Sequence, residues 1–297
     1  MRFDYELVLG LPHTNRDGLA EHLLLAYAGH LQWASLAAAI GVPLSSLRTL
    51  QGGEVYATFF FIEEQFPRDR SISSFGLDDR LAFSVSLRAF KSMAIEGHIV
   101  FDLAPRFGQD GAHPTIRFAN IFITPERGNR LLRVAPPANA DFSSLPFLPN
   151  AENPYHLTKE AERTGSLGLL GDGWTMVDPT APFEARYTID PDRDTNGAGL
   201  VYFANYVSFM DAAEQGAWSA VCAPRHSREA GRRSLLSRRI AYYGNVDVDD
   251  TVMTQVTLYR RHDDPDVVGM KYVVRRQHDG YLICRSEAVK LVTQRTD

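Results

Sequence analysis

Six arginines lie between Arg225 and Arg239, at 225, 228, 232, 233, 238 and 239, with Glu229 as the one acid among them. Guanidinium groups pair bidentately with phosphates and carboxylates, so a cluster containing Arg228, Arg232 and Arg233 suits a phosphorylated ligand or an acidic partner. The plainer alternative is a solvated turn after a helix, helped by the helix dipole. His13, in Leu9-Gly10-Leu11-Pro12-His13, could move a proton, although a loop histidine after proline is commonly just exposed. Asn120 interrupts the apolar run from Phe118 to Ile123 and needs a partner if buried, either at a pocket wall or on a neighbouring backbone group. The stretch Asp194-Thr195-Asn196-Gly197-Ala198-Gly199-Leu200 lets backbone approach a ligand closely, and a helix opening at Gly199 would aim unpaired N–H groups at it. Gly18-Leu19 reads as the corresponding opening of an earlier helix. Tyr202 and Asn205 suit ligand contact and helix packing alike. Tyr56, in Val55-Tyr56-Ala57-Thr58-Phe59, reads from pattern alone as strand packing. His22 and His30 have no carboxylate at ligand spacing, so no metal site is expected.

The elements that must position these residues fall into two similar sets. A strand over Phe3 to Leu9 precedes a helix with Leu24, Tyr27, Leu31, Ala34 and Ala38 on one face, and then strands at Val55 to Ile62, Leu81 to Phe90, Ile95 to Asp102 and Thr115 to Thr124. A second set begins at Phe183 to Asp190. It continues with a helix carrying Phe203, Val207, Met210, Ala217 and Val221, then strands near Arg239, Met253, Val273 and Val289. Leu77-Asp78-Asp79-Arg80 and Val248-Asp249-Asp250-Thr251 both place two acids in the turn before a long strand, a structural device. Half of the 16 prolines fall between Pro125 and Pro182, which marks a connector between the two sets. The expected division is residues 1–124, a Pro-rich connector at 125–182, and residues 183–297. One long helix followed by four antiparallel strands, twice, predicts an α+β fold with curved antiparallel sheet.

The 297 residues, 44% of them hydrophobic, suffice for two cores of about 150 residues each. A net charge of -5 disfavours nucleic acid as a partner. Two cysteines without metal-ligand spacing suggest a reducing compartment. The acidic N-terminal segment has no signal-peptide character, and no apolar run approaches the ~20 residues that span a bilayer. A cytoplasmic protein without membrane attachment is expected.

Residues 194 to 206, with Met210-Asp211-Ala212-Ala213-Glu214, resemble the signature of hotdog acyl-CoA thioesterases. In that family a carboxylate stands two residues before the helix-opening Ala-Gly, where this chain has Asn196; an amide can orient a thioester but cannot take a proton from water. Leu9 to His13, Gly18-Leu19-Ala20-Glu21, Gly29 to Trp33 and Glu54 to Phe60, within a duplicated hotdog, resemble the bifunctional acyltransferase/decarboxylase family of leinamycin-type polyketide biosynthesis. That resemblance covers nearly the whole chain. It implies a double hotdog fold and an enzyme that takes methylmalonyl-CoA, acylates a tyrosine, decarboxylates the acyl group and passes propionyl to an acyl carrier protein. Tyr56 is the tyrosine that matches.

A phenol is a poor nucleophile at neutral pH, so Tyr56 would need a positive dipole such as the start of the Gly18 helix. Gly18, Leu19, Asn120, Asn196 and Tyr202 are the expected oxyanion and pocket residues, with His13 assisting Tyr56. The arginines would then dock CoA phosphates or the carrier protein. No cofactor is implied beyond the CoA thioester as substrate, and a homodimer is one assembly open to the chain. The alternatives are an acyl-CoA or acyl-carrier-protein thioesterase, and a double-hotdog dehydratase. For the latter, Asp211 and Gln215 have a fitting spacing, but His13 lacks glycine at the distance that family uses.

Overall fold

The computed structural model describes residues 1–90, 94–127, 131–177, 182–221 and 232–293. The first half runs β1 (Arg2–Val8), β2 (Thr14–Asn15), β3 (Gly18–Leu19), α1 (Glu21–Ile40), β4 (Tyr56–Gln65), β5 (Arg80–Phe90), β6 (Ala94–Leu103) and β7 (Thr115–Arg127). Next come β8 (Leu131–Val134), α2 (Tyr155–Thr164) and β9 (Trp174–Met176). The second half runs β10 (Phe183–Thr188), α3 (Pro191–Asp194), α4 (Asn205–Val221), β11 (Arg232–Tyr242), β12 (Thr251–Arg261), β13 (Val267–Arg276) and β14 (Leu282–Thr293).

Among the described residues, ten strands form one antiparallel sheet in the order β1-β5-β6-β7-β4-β11-β14-β13-β12-β10, with β8 added on β7 and β9 on β12, while β2 and β3 make a separate hairpin. Read outward from the central β4–β11 pair, the two halves have the same topology. This is the double hotdog: the sheet curls around α1 and α4, whose apolar residues share one core with its inner face. The halves are joined not only by the proline-rich segment but by the sheet itself, through pairs such as Ile62 with Ile240 and Glu63 with Arg239. Residues of that segment also cover the outer face of β4. Ala161 and Leu167 pack there with Phe60, Phe61 and Ala241, so β4 is buried on both faces where β12 alternates cleanly.

The duplication reaches single hydrogen bonds. Asp78 and Asp249 have φ of 65° and 64°, and the next acid in each turn, Asp79 or Asp250, accepts from the amide of Gly76 or Asp247. Acidic residues tolerate this left-handed conformation because the short side chain can bond locally.

The helix starts differ from the sequence expectation. Gly18-Leu19 pairs with Thr14-Asn15 as a small hairpin, so α1 begins at Glu21, and Gly199 lies in the loop before α4, which begins at Asn205. The buried face of α1 is also rotated and broader. Leu25, Ala28, Gln32, Ser35 and Leu36 are buried with Leu24 and Leu31, while Ala38 is exposed, because the helix is packed on several sides. By length and composition α1 could cross a membrane, contrary to the expectation of no such run. Here it is a core helix.

Gly18 has φ of +122°, and a Cβ there would lie 2.7 Å from the Ser73 Cα and 3.0 Å from the Ile72 carbonyl. Gly199 has φ of +71° with open space around it. Gly18→Ala is therefore expected to cost about 2 kcal/mol or more, and Gly199→Ala about 1 kcal/mol. Urea unfolding midpoints check this; equal losses would refute the close approach at Gly18.

Candidate active site

Arg238 of β11 is fully buried between the two helices. It forms an ion pair with Glu21 of α1, closest approach 2.5 Å, and its Nη2 donates to Asp211 Oδ1 of α4 at 3.4 Å. Its guanidinium also lies over the Tyr272 ring, 5.3 Å from the centroid. Beside it, Glu214 accepts from Lys290 Nζ at 2.7 Å, Tyr272 Oη at 2.5 Å and Arg233 Nε at 2.7 Å. Burial pushes the Glu214 carboxyl up, but Lys290 and Arg233 outweigh it and bring the pKa down to about 2. Glu64 of β4 sits in the same cluster with no charged partner of its own. Burial first, then the Glu21 carboxylate, pushes its pKa well above the usual range and favours the neutral acid. Glu21 is raised as well, by burial that Arg238 only partly offsets.

This cluster forms the floor of a polar cleft of about 280 Å³, lined by Asn15, Leu19, Glu21, His22, Ser73, Asp211, Gln215 and Lys290 among others. Two features give it chemical capacity. The Asp211 side chain is 46% exposed, so its carboxylate reaches the cleft while Arg238 and Lys290 lie behind it. Opposite, α1 begins at Glu21 with Ala20 as its N-cap and no side-chain cap, so the first-turn amides have no side-chain acceptor. His22, in that first turn, has its pKa lowered by burial, against the pull of Asp211, and is neutral at pH 7. The cleft thus combines a carboxylate, a neutral imidazole and backbone donors at a helix N-terminus.

A second cleft, of about 260 Å³, occupies the equivalent place in the other half, ~17 Å away along α1. Here the loop before α4 faces β4 and the middle of α1, as the loop before α1 faces β11 and α4 in the first cleft. Both β4 and β11 carry a bulge beside their cleft, at Phe59/Phe61 and Leu235/Ser237. The chemistry of the second cleft is different. Trp33 stacks on Phe59 at 5.2 Å, Phe203 packs edge-on against both, and Ile121 and Ile123 complete an aromatic and aliphatic wall. No acid, histidine, lysine or arginine lines it among the described residues.

The residues singled out from the sequence are scattered over this framework. Tyr56 opens β4 outside both clefts; its hydroxyl donates to Glu54 Oε2 at 2.5 Å, and that bond, with some burial, raises the phenol pKa. It is not brought to the start of α1: Gly18 packs against Ser73 at the far end of the sheet from Tyr56, which pairs with Ile123. Leu19 lines the polar cleft. His13 Nδ1 accepts from the Gly10 amide at 2.9 Å, and the residue lines neither cleft. Asn120 is buried, its carbonyl oxygen accepting from Gln32 Nε2 at 2.7 Å, and it lines neither cleft. Asn196 lines that cleft, while the Tyr202 hydroxyl donates to the Ala26 carbonyl at 3.2 Å. Arg228 lies outside the described residues, as does the Arg232 side chain. Arg233 is committed to Glu214, Gln215 and the face of Trp218, Arg238 to Glu21, and Arg239 to Glu63, all from strand β11 rather than a solvated turn.

Glu21, Glu64, Glu214 and Lys290 were not singled out by sequence reasoning. Two signals pointed to them. Thr-Asn-x-x-Gly-Leu occurs at 14–19 and at 195–200, marking both loops at once, and the side chain of each asparagine accepts from the amide two residues on. Glu64, Glu214, Arg238 and Lys290 also stand at positions where the apolar pattern demands burial, which a charge tolerates only with partners.

No protein-family model matches the chain, and no curated protein matches it. Among solved structures, a putative oleoyl thioesterase from Lactobacillus plantarum superposes with a TM-score of 0.66 at 12% identity, over 98% of this chain and 95% of that one. The 12:0-ACP thioesterase from Umbellularia californica gives 0.64 at 11% identity, over 98% and 94%. An acyl-ACP thioesterase from Bacteroides thetaiotaomicron gives 0.59 at 11%, over 97% of each chain. At these identities the similarity is one of fold.

The buried carboxyls have opposite pH signatures. Glu214, depressed in the folded state, contributes stability that is present above the ordinary carboxylate pKa and is lost as pH falls from there through about 2. Glu64, raised, contributes stability at acid pH that is lost as pH rises through its folded value. Glu214→Gln is expected to cost about 3 kcal/mol at pH 7 and flatten the acid limb of stability. Glu64→Gln should leave pH 5 stability nearly unchanged and raise it at pH 9. Denaturant titrations across pH check both.

Proposed function

We propose that the protein hydrolyses acyl thioesters, carried by CoA or an acyl carrier protein, in the polar cleft. The observation that carries this reading is the exposed Asp211 carboxylate of α4 facing the uncapped first turn of α1 across one cavity. A water held by Asp211 attacks the thioester carbonyl carbon and gives its proton to the carboxylate. The oxygen that becomes negative is met by the Glu21 and His22 amides at the positive end of a 20-residue helix. Collapse of the tetrahedral intermediate breaks the C–S bond, and the proton returns to the departing thiolate. Leu19, Ile72 and Leu235 offer the apolar part of the cleft to the acyl group. The superposition on three proteins named as thioesterases supports the same reaction class. A cytoplasmic location belongs to this reading. The transferase and decarboxylase chemistry, with methylmalonyl-CoA as substrate, draws no support from Tyr56, whose phenol is bound to a carboxylate and lines neither cleft.

A second reading is favoured by one observation: neutral His22, Asp211 and Gln215 line the same cleft, a set able to remove and deliver protons in dehydrating a 3-hydroxyacyl thioester. The two readings separate cleanly. Asp211→Asn is expected to lower kcat for acyl-pantetheine hydrolysis by ~10²- to 10⁴-fold with unchanged circular dichroism. His22→Gln should reduce hydrolysis much less, whereas a dehydratase would lose all turnover of 3-hydroxybutyryl-pantetheine. Wild-type hydrolysis by the Asp211 variant would overturn the proposal.

A further inference from the structure

We propose that the aromatic cleft is a second binding site, one that holds an uncharged acyl group by its carbonyl and does not hydrolyse it. Asn196 sets the polarity of the site. Its Oδ1 accepts from the Ala198 amide at 3.0 Å and the Leu200 amide at 3.1 Å, which leaves the carboxamide NH2 as the end free to serve the cleft, a donor only. The phenols around it are already committed. Tyr206 donates to Asn245 Oδ1 at 3.0 Å, Tyr242 to the Phe203 carbonyl at 2.9 Å and Tyr281 to the Tyr243 carbonyl at 3.2 Å. A ligand here is therefore offered neutral donors, the carboxamide groups of Asn196 and Asn245 and the Thr58 hydroxyl, beside an apolar wall, but no counter-charge. A free carboxylate would lose hydration without compensation, whereas an ester or thioester carbonyl needs only the one donor.

The volume of about 260 Å³ corresponds to ~8 or 9 non-hydrogen atoms at roughly 30 Å³ each, the size of a medium acyl chain. With no acid or imidazole among its described lining residues, the cleft has nothing to activate water against the carbonyl it binds. It orients an acyl group and stops there. The site does not depend on hydrolysis in the polar cleft.

The test uses full-length Asp211→Asn protein at pH 8, with S-octanoyl-N-acetylcysteamine and octanoate as probes, followed by calorimetry and by tryptophan fluorescence. The thioester is expected to bind at least tenfold more tightly than octanoate and to remain intact. Trp33 should report the binding, so Trp33→Phe should abolish the fluorescence change while Trp174→Phe and Trp218→Phe keep it. Asn196→Asp preserves the oxygen that holds the loop but removes the donor, and should weaken thioester binding at least tenfold. Val134→Trp, at a half-exposed position of the cleft lining on β8, should block it without a core substitution. Equal affinity for thioester and octanoate, unchanged binding by Asn196→Asp, or thioester cleavage lost only on changing Asn196 would each overturn the proposal. Binding that persists while wild-type protein fails to hydrolyse any thioester would leave this site standing and remove the hydrolase reading alone.

Discussion

The buried Arg238 guanidinium is the interaction on which the arrangement of the molecule rests. A cation with no exposed surface is tolerable only where carboxylates and aromatic faces surround it, and Arg238 gathers Glu21 from α1, Asp211 and Met210 from α4 and Tyr272 from β13. Two helices that meet mainly through apolar side chains could slide along one another at modest cost. Anchoring both to one strand residue fixes their relative position. Gly29 of α1 meets the loop before α4 closely: a Cβ there would lie 2.7 Å from the Phe203 ring.

That fixed position creates the two clefts and also makes them unequal. The loops, the bulges and the adjoining strands are duplicated, yet one cleft received the ion cluster and the other received Trp33, Phe59 and Phe203. The cost of burying charge explains why the division is complete. A carboxylate placed among the aromatic side chains would have no cation to meet it, and an aromatic side chain placed over Glu214 would displace Lys290 or Arg233 and leave a buried anion unpaired. Intermediate compositions are therefore unfavourable, and duplication offers a route to one reactive and one inert cleft on a single scaffold.

The repeated order of elements, the paired acid turns and the antiparallel α+β architecture were legible because each rests on local rules: side-chain periodicity, turn chemistry and proline content. The cleft chemistry was only partly legible. Asp211 and Gln215 stand out by their spacing; the histidine that lines their cleft is His22 in the first turn of α1 and not His13, since the chain makes the β2–β3 hairpin between the two histidines. Only a family resemblance marks Tyr56, and the strand carrying it turns it toward Glu54. The arginine run looked like a surface feature because one-dimensional charge density cannot show that β11 alternates. Arg238 faces the helices, while Arg239 faces outward to Glu63 and the Leu167 carbonyl.

The same alternation gives the seam between the halves its specificity. Arg238 lies opposite Glu64 in the register and Arg239 opposite Glu63; Arg239 and Glu63 form an ion pair on the outer face, while on the inner face the cation of Arg238 is met by Glu21 and Glu64 stays a neutral acid. A slip of one residue would carry every side chain of β11 to the other face, forcing Arg239 in among the helices and Arg238 out to the connector. The contacts of Arg238 with Glu21, Asp211 and the Tyr272 ring would be lost, as would the ion pair of Arg239 with Glu63. Glu64, kept neutral by burial and by the neighbouring Glu21 carboxylate, adds little to this selection of register. The central strand pair is thus the point at which the two repeated sets of elements become one sheet in one register, and the geometry of both clefts descends from it.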